Sequence, residues 1–339
     1  MNRRLFLMGV AGAAGCSRES RPRLNVYNWS DYVAPDTISN FEQEFGVSVR
    51  YGVFESAPEL LAKVMTGNSG WDVVFPPNDY IQPMREMDLV ARLRHDWLKN
   101  LDQLEPQFLR PPWDPDLTSC VPYMHGSTGI VYQKSVEPIS AWADLWSDRL
   151  RGRITMIDDP IEVFGACLKK LGLPLNSSDP GELRRAQKEA IDQKRLVRAY
   201  LNAEVRDQLV AGDVLAAQAW AITAQQAMDA SPKLAFAHPE EGFALFADNI
   251  VILRESKRLE LAHRFVDYLL RPRVNAAVVL TTKTATCNAG ARRLLPESIR
   301  KNPVLYPPPE MLARAEWFAP QSIAGQRLRD RLWTEIKSA

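Results

Sequence analysis

The chain has 339 residues, of which 46% are hydrophobic and 24% charged, a length and balance that fit two ordinary domains of a soluble globular protein. Its formal net charge is +1, which excludes the strongly basic surface of a nucleic-acid binder and gives no reason to expect an acidic polymer as partner. The 9 Trp matter by position, because several fall in loops rather than in apolar stripes.

The first sixteen residues, "MNRRLFLMGVAGAAGC", have a basic start (Arg3, Arg4), an apolar run from Leu5 and small residues before Cys16. That layout is an export signal, too short to span a bilayer as a stable helix. "RRLFL" resembles a twin-arginine signal, and "AAGC" resembles a lipoprotein processing box that would make Cys16 the lipidated residue, with Ala13 where that box usually has Leu. An ordinary secretory signal with an incidental Cys16 is the other reading.

A strand-like "LNVY" (24–27) then leads into Trp29, Ser30 and Tyr32, an unusual turn, since turns ordinarily carry Gly, Asn, Asp or Ser. The aromatic residues either fold back on the core or face a ligand. The helix "PDTISNFEQEF" follows, with Ile38, Phe41 and Phe45 at helical spacing, then the strand "VSVRYGVF" (47–54), the helix "APELLAKVM" and the buried strand "WDVVFPP" (71–77) before "YIQPMREM". Such alternation predicts a parallel α/β sheet. A second unit starts at "GRITMIDD" (152–159) and continues through the helices "PIEVFGACLKKLG" and "GELRRAQKEAIDQKR". "DVLAAQAW" (213–220) reads as a strand, "AITAQQAMDA" as a helix, "LAFAHP" (234–239) as a strand, and "FADNIVIL" (246–253) as a core strand returning to the first unit. Helices follow: "LELAHRFVDYLLRP", "RVNAAVVL" and the amphipathic "SIAGQRLRDRLWTEIKSA".

Ligands of open α/β sheets bind beyond the carboxyl ends of strands. Trp29, Asn78, Asp79, Asp158, Asp159 and Trp220 all stand at or just after such an end. No phosphate loop, HExxH or nucleophile elbow occurs, and "HGSTG" (125–129) has His125 where the elbow needs Gly. No metal or cofactor is implied. Cys120, Cys167 and Cys287 fit no zinc spacing and read as buried thiols.

Two carboxylate positions stay open on pattern alone. Asp159, Pro160 and Glu162 form a capping pattern, which competes with a ligand role. Asp248 interrupts the apolar run Phe246, Ile250, Ile252, so it is either a strand-edge residue facing water or a buried carboxylate with a partner.

Taken in order, "VYNWSDYV", "VPYMHGSTGIVY", "AWADLW", "DDPIEVFGACLKKLG", "LLRPRVNAAV" and "EWFAP" resemble the spermidine/putrescine-binding proteins, the periplasmic receptors of polyamine ABC transporters, from about residue 24 to near the end. The resemblance implies a two-lobed periplasmic-binding-protein fold of type II, α/β, each lobe a mostly parallel sheet flanked by helices, with the ligand cleft between lobes. Residues 1–16 would be the signal, 24–125 plus 247–296 one lobe, and 126–246 plus 297–339 the other. It implies an amine site of Trp29, Ser30, Tyr32, Asp159, Glu162, Asn202, Trp220 and Asp248, with Asp79 where members often have an aromatic, Phe246 where a second Trp is expected, and Phe318 in place of a Gln. It also implies a cationic amine (spermidine or putrescine) as ligand, an inner-membrane ABC permease as partner, a monomer in the periplasm or cell envelope, no nucleic acid, and membrane contact only through a lipid on Cys16. Desolvating an ammonium costs several kcal/mol, and a cation–π contact returns ~0.5–2 kcal/mol, so carboxylates must supply the rest. A receptor for another amino-containing solute (an opine, aminophosphonate or amino acid) would need an Arg or a helix N-terminus in the cleft, with Arg85 and Arg254 as the candidate arginines. An exported hydrolase using Asp159 and Glu162 is a third reading, which their placement on one helix end suits poorly.

Overall fold

The computed structural model describes residues 21–30 and 32–339; the leader and Cys16 lie outside the described residues. The strands are β1 (Arg23–Trp29), β2 (Ser48–Phe54), β3 (Val73–Val74), β4 (Val121–Gln133), β5 (Ile154–Met156) and β6 (Val197–Tyr200). They continue with β7 (Ala216–Trp220), β8 (Leu234–Ala237), β9 (Phe243–Ile252), β10 (Ala285–Thr286) and β11 (Ala315–Trp317). Their order is β2-β1-β3-β9-β4-β7-β5-β6, with β8 and β10 on β4 and β11 on β9.

β1 is parallel to β2 and β3, and β5 is parallel to β6 and β7. Between these parallel groups lie the two long strands, β4 and β9, antiparallel to each other from Val121↔Ile250 to Ser127↔Leu245. The first half of β4 pairs with β9, and its second half, Thr128 to Gln133, pairs with β7 and β8. Sequence periodicity points only to parallel units; β4 reads there as a resemblance rather than a strand, because Pro122, Gly126 and Gly129 break its apolar run.

One core is built from residues within 24–124 and 247–295, among them Leu24, Val26, Phe41, Phe75, Tyr123 and Phe265. Two smaller cores lie within 130–216 and 131–234, the former covered by Leu332 and Ile336 of the C-terminal helix Ile323–Ser338. The chain therefore passes between cores inside β4 and again at the start of β9. Leu24 and Val26 on one face of β1 and Asn25 and Tyr27 on the other are all buried, as expected for a parallel strand covered on both faces. The helix Thr37–Phe45 ends on Gly46 at φ 64°, the left-handed cap that glycine provides without a Cβ clash. Cys120, Cys167 and Cys287 are all free and buried. Among the described residues no helix is long and apolar enough to cross a membrane.

Candidate functional site

The end of β1 sets the first wall. The Trp29 indole N–H donates to the Phe75 carbonyl at 2.9 Å and its ring packs on Phe54 at 4.5 Å between centroids, which fixes its orientation. Ser30 Oγ donates to Glu55 at 3.0 Å. Tyr32 is buried, and its hydroxyl donates to Asp248 at 2.5 Å. Asp248 thus stands in β9 at 3% exposure with a partner 216 positions away, which resolves its open reading in favour of a buried, paired carboxylate.

The loop after β3 is held by Asn78, whose Nδ2 donates to the Phe318 carbonyl at 2.6 Å and whose Oδ1 accepts from the Ala247 N–H at 3.0 Å. Asp79 follows directly and is 8% exposed. Asn78 therefore serves the scaffold and Asp79 lines the cavity, although both stand just after the same strand end.

The opposite wall begins at the helix Pro160–Lys170. Asp159 caps it by accepting from the Ile161 N–H at 3.0 Å, with Pro160 in the first turn. Glu162 does not complete a capping box. Its carboxylate turns to the strands instead, accepting from Thr128 Oγ1 at 2.9 Å and from the Trp220 indole N–H at 2.7 Å. Asp158 is turned away from this wall, paired with Lys337 at 2.7 Å. Asn202 has a buried Oδ1 with no hydrogen-bond partner.

All ten residues expected from the sequence, Trp29, Ser30, Tyr32, Asp79, Asp159, Glu162, Asn202, Trp220, Phe246 and Asp248, line one cavity of about 340 Å³. Glu55, Tyr80, Glu204, Arg206, Asp207 and Phe318 line it too. Glu55 follows β2, so the strand-end rule that singled out Trp29 would also have found it. Arg206 and Asp207 lie on the short helix Val205–Ala211, which carries no such signal. Neither Arg85 nor Arg254 lines the cavity: Arg85 lies 3.8 Å from Asp114, and Arg254 pairs with Asp88. Arg206 does line it, its guanidinium held by Asp207 at 3.4 Å and Gln226 at 3.1 Å.

Electrostatically the cavity is acidic. Burial pushes Glu162 up to about 8, with Asp159 adding repulsion and the Trp220 and Thr128 donors opposing it. Asp79 is raised to about 7 by burial and by the nearby Asp159 and Asp248, and Asp159 to about 6 chiefly by burial. Asp248 is raised to about 7 by burial, offset in part by the Tyr32 hydroxyl and by the neighbouring Trp29 indole N–H, whose closest acceptor is the Phe75 carbonyl. At neutral pH Glu162 therefore keeps most of its proton, Asp79 and Asp248 stand near mid-titration and Asp159 is mostly ionised, so the group can trade protons for positive charge. Aromatic rings between them provide surface for methylenes. Among the described residues no cluster of His, Cys, Asp and Glu has the geometry to hold a metal ion.

Comparison with known proteins places the chain in a family. A family model described as bacterial extracellular solute-binding protein matches residues 36–306. The chain belongs to that family. It is 31% identical over 310 residues to the spermidine/putrescine-binding periplasmic protein of Escherichia coli (strain K12), covering 90% of this chain and 89% of the relative. It is 30% identical over 351 residues to the putrescine-binding periplasmic protein PotF of the same organism, covering 97% and 95%. Among solved structures, a putative spermidine/putrescine ABC transporter from Listeria monocytogenes superposes with a TM-score of 0.90 at 29% identity, covering 93% of this chain and 98% of that one. The fold is the two-lobed type II arrangement of these solute-binding proteins, with β4 and β9 as the strands that join the lobes.

Proposed function

We propose that this chain is the receptor of an ABC transporter that closes on a polyamine, spermidine or putrescine, and hands it to the permease. The observation that carries this reading is the convergence of Asp79, Asp159, Glu162 and Asp248, drawn from distant parts of the chain, on one cavity walled by Trp29, Tyr32, Trp220 and Phe246. Carboxylates at separate points hold the ammonium groups and the rings flank the methylenes, while Ser30 and Asn202 supply polar contacts at the ends. The lobes are taken as 24–125 plus 247–296 and 126–246 plus 297–339. The protein acts by binding without turnover, as a monomer in the periplasm or cell envelope, exported through its leader and tethered by a lipid on Cys16.

Arg206 is the one observation favouring a ligand that also carries an anionic group, such as an amino acid or opine. Its charge is already matched by Asp207 at the rim, and the buried Asp79, Glu162 and Asp248 with the half-buried Asp159 outweigh it. The test is thermal unfolding of the mature protein with millimolar spermidine, putrescine or amino acids. A ligand present at about 100 times its Kd stabilises by about 2.7 kcal/mol. A shift with the amines alone supports the reading; no shift with either amine refutes it.

A further inference from the structure

A second ammonium seat lies behind the wall that carries Asp159, and the chain fills it with its own side chain. Lys337, in the last turn of the C-terminal helix, places Nζ 2.7 Å from Asp158 Oδ1, 4.9 Å from the Tyr200 ring centroid and 5.2 Å from the Trp333 ring centroid. The two rings meet edge to face, 84° apart with centroids separated by 5.0 Å, and both lie within cation–π range of the ammonium. Among the described residues Lys337 is the one lysine with a carboxylate and two rings around its ammonium; Lys170, beside Glu189 and Trp146, has a single ring. The parts come from positions that the fold fixes. Asp158 follows β5 and Tyr200 ends β6, neighbouring parallel strands in register at Met156↔Tyr200. Trp333 and Lys337 stand at i and i+4 of one helix and so share a face, while Leu332 and Ile336 root that helix in the core. Lys194 Nζ donates to the Lys337 carbonyl at 2.7 Å and pins the backbone there. The Asp158 and Lys337 side chains are 42% and 40% exposed, so solvent reaches the pair.

We propose that Asp158, Tyr200 and Trp333 form a second ammonium site, outside the cleft, that takes a primary alkylammonium and is filled by Lys337 as a tethered ligand. A tethered ligand is present at high effective concentration, so free amines do not displace it from the intact chain. The seat also bears on the cleft. Asp159, which lines the cavity, directly follows Asp158, and Asn202, which lines it too, comes just after Tyr200 and Leu201. Lys337 ties both strand ends to the C-terminal helix and is a positioning residue for Asp159 and Asn202; it touches no ligand in the cleft. The ammonium site stands on its own contacts, whereas its effect on the cleft rests on the polyamine reading above.

Thermal unfolding of the full mature chain tests the site, with n-butylammonium chloride as probe and sodium chloride at the same concentration as control. Lys337→Ala should lower the melting temperature by roughly 1–4 °C. Butylammonium at about 0.1 M, enough to fill even a weak site, should recover at least half of that loss beyond any shift it gives the wild type. Combining Lys337→Ala with Asp158→Asn should abolish the recovery. No loss in Lys337→Ala, no recovery, recovery by sodium chloride alone, or equal recovery in the double variant overturns the site. Calorimetry with spermidine and putrescine tests the positioning role. Lys337→Ala should bind amine roughly 3- to 10-fold more weakly, and Lys337→Arg, which keeps a cation between the rings, should bind like wild type. Butylammonium should restore part of the lost affinity, whereas competition inside the cleft would only lower it further. Binding by Lys337→Ala within about twofold of wild type, or a loss that butylammonium deepens, refutes the positioning role and leaves the polyamine reading intact. Wild-type protein that binds neither amine overturns that reading and the positioning role together, and the melting temperatures still decide the ammonium site.

Discussion

Replacing Glu162 by Gln separates what this side chain does for the ligand from what it costs the empty protein. The amide oxygen can still accept from Thr128 and Trp220, and the volume is nearly the same. Glu162 is raised from 4.5 to about 8 by burial. A carboxyl raised on folding binds protons more tightly in the native state, so its contribution to stability falls as pH rises from the unfolded value to the folded one. At 1.36 kcal/mol per unit, the penalty at pH 8 is about 4 kcal/mol, and below 1 kcal/mol at pH 5. Burying the new amide group takes back about 1–3 kcal/mol. Glu162→Gln should therefore stabilise the ligand-free protein by about 1–3 kcal/mol at pH 8, which for a chain this long is at most about 2 °C per kcal/mol. At pH 5 the gain should turn into a loss of up to about 2 kcal/mol. The same change should weaken amine binding by about 2–3 kcal/mol at pH 8.5, roughly 30- to 150-fold. Near pH 7 the loss shrinks, because the wild type must first release the Glu162 proton. Scanning fluorimetry from pH 5 to 8.5 and calorimetry at both ends read both effects. A variant less stable than wild type at pH 8, or one that binds amine within twofold of wild type there, would refute the reasoning.

Because Asp79, Asp159, Glu162 and Asp248 are raised to about 7, 6, 8 and 7, amine binding at pH 7 should release protons and affinity should climb between pH 6 and 8. Calorimetry in two buffers of different ionisation enthalpy checks it, and identical heats in both would contradict it. Gly126 in β4 faces Phe246, and a Cβ there would come within 2.5 Å of the Phe246 ring. Gly126→Ala should displace that ring and lower affinity for every amine alike, by roughly 10-fold, with a stability loss of about 1–3 kcal/mol; unchanged binding and melting would show the ring to be unconstrained.

The candidate site was legible where the chain obeys a positional rule. Trp29, Asp79, Asp159 and Trp220 end strands or begin helices, and parallel α/β units put such positions at one edge. Glu162 was legible as a residue of interest but not in its role, because a capping spacing says nothing about Thr128 and Trp220, which come from two other strands. β4 escaped periodicity because it serves different neighbours along its length. Lys337 escaped because an amphipathic helix rich in charge reads as a solvated face, and only packing of that helix against 160–170 and 180–194 reveals what its ammonium meets.

Asp248 lies in β9 beside the point where the chain passes between cores, so in the closing motion of the proposed receptor this carboxylate would sit close to the pivot. A group near a pivot is displaced little when the outer walls swing in. On that reading Asp248, held by the Tyr32 hydroxyl, and Trp29, held by the Phe75 carbonyl, would form a berth ready before closure, and Asp159, Glu162 and Trp220 would arrive with the moving wall. The order of events follows: Asp248→Asn should slow capture, and Glu162→Gln should speed escape. Stopped-flow traces of tryptophan emission, read against amine concentration, would tell the two apart, and equal changes in both rate constants for both variants would refute this order.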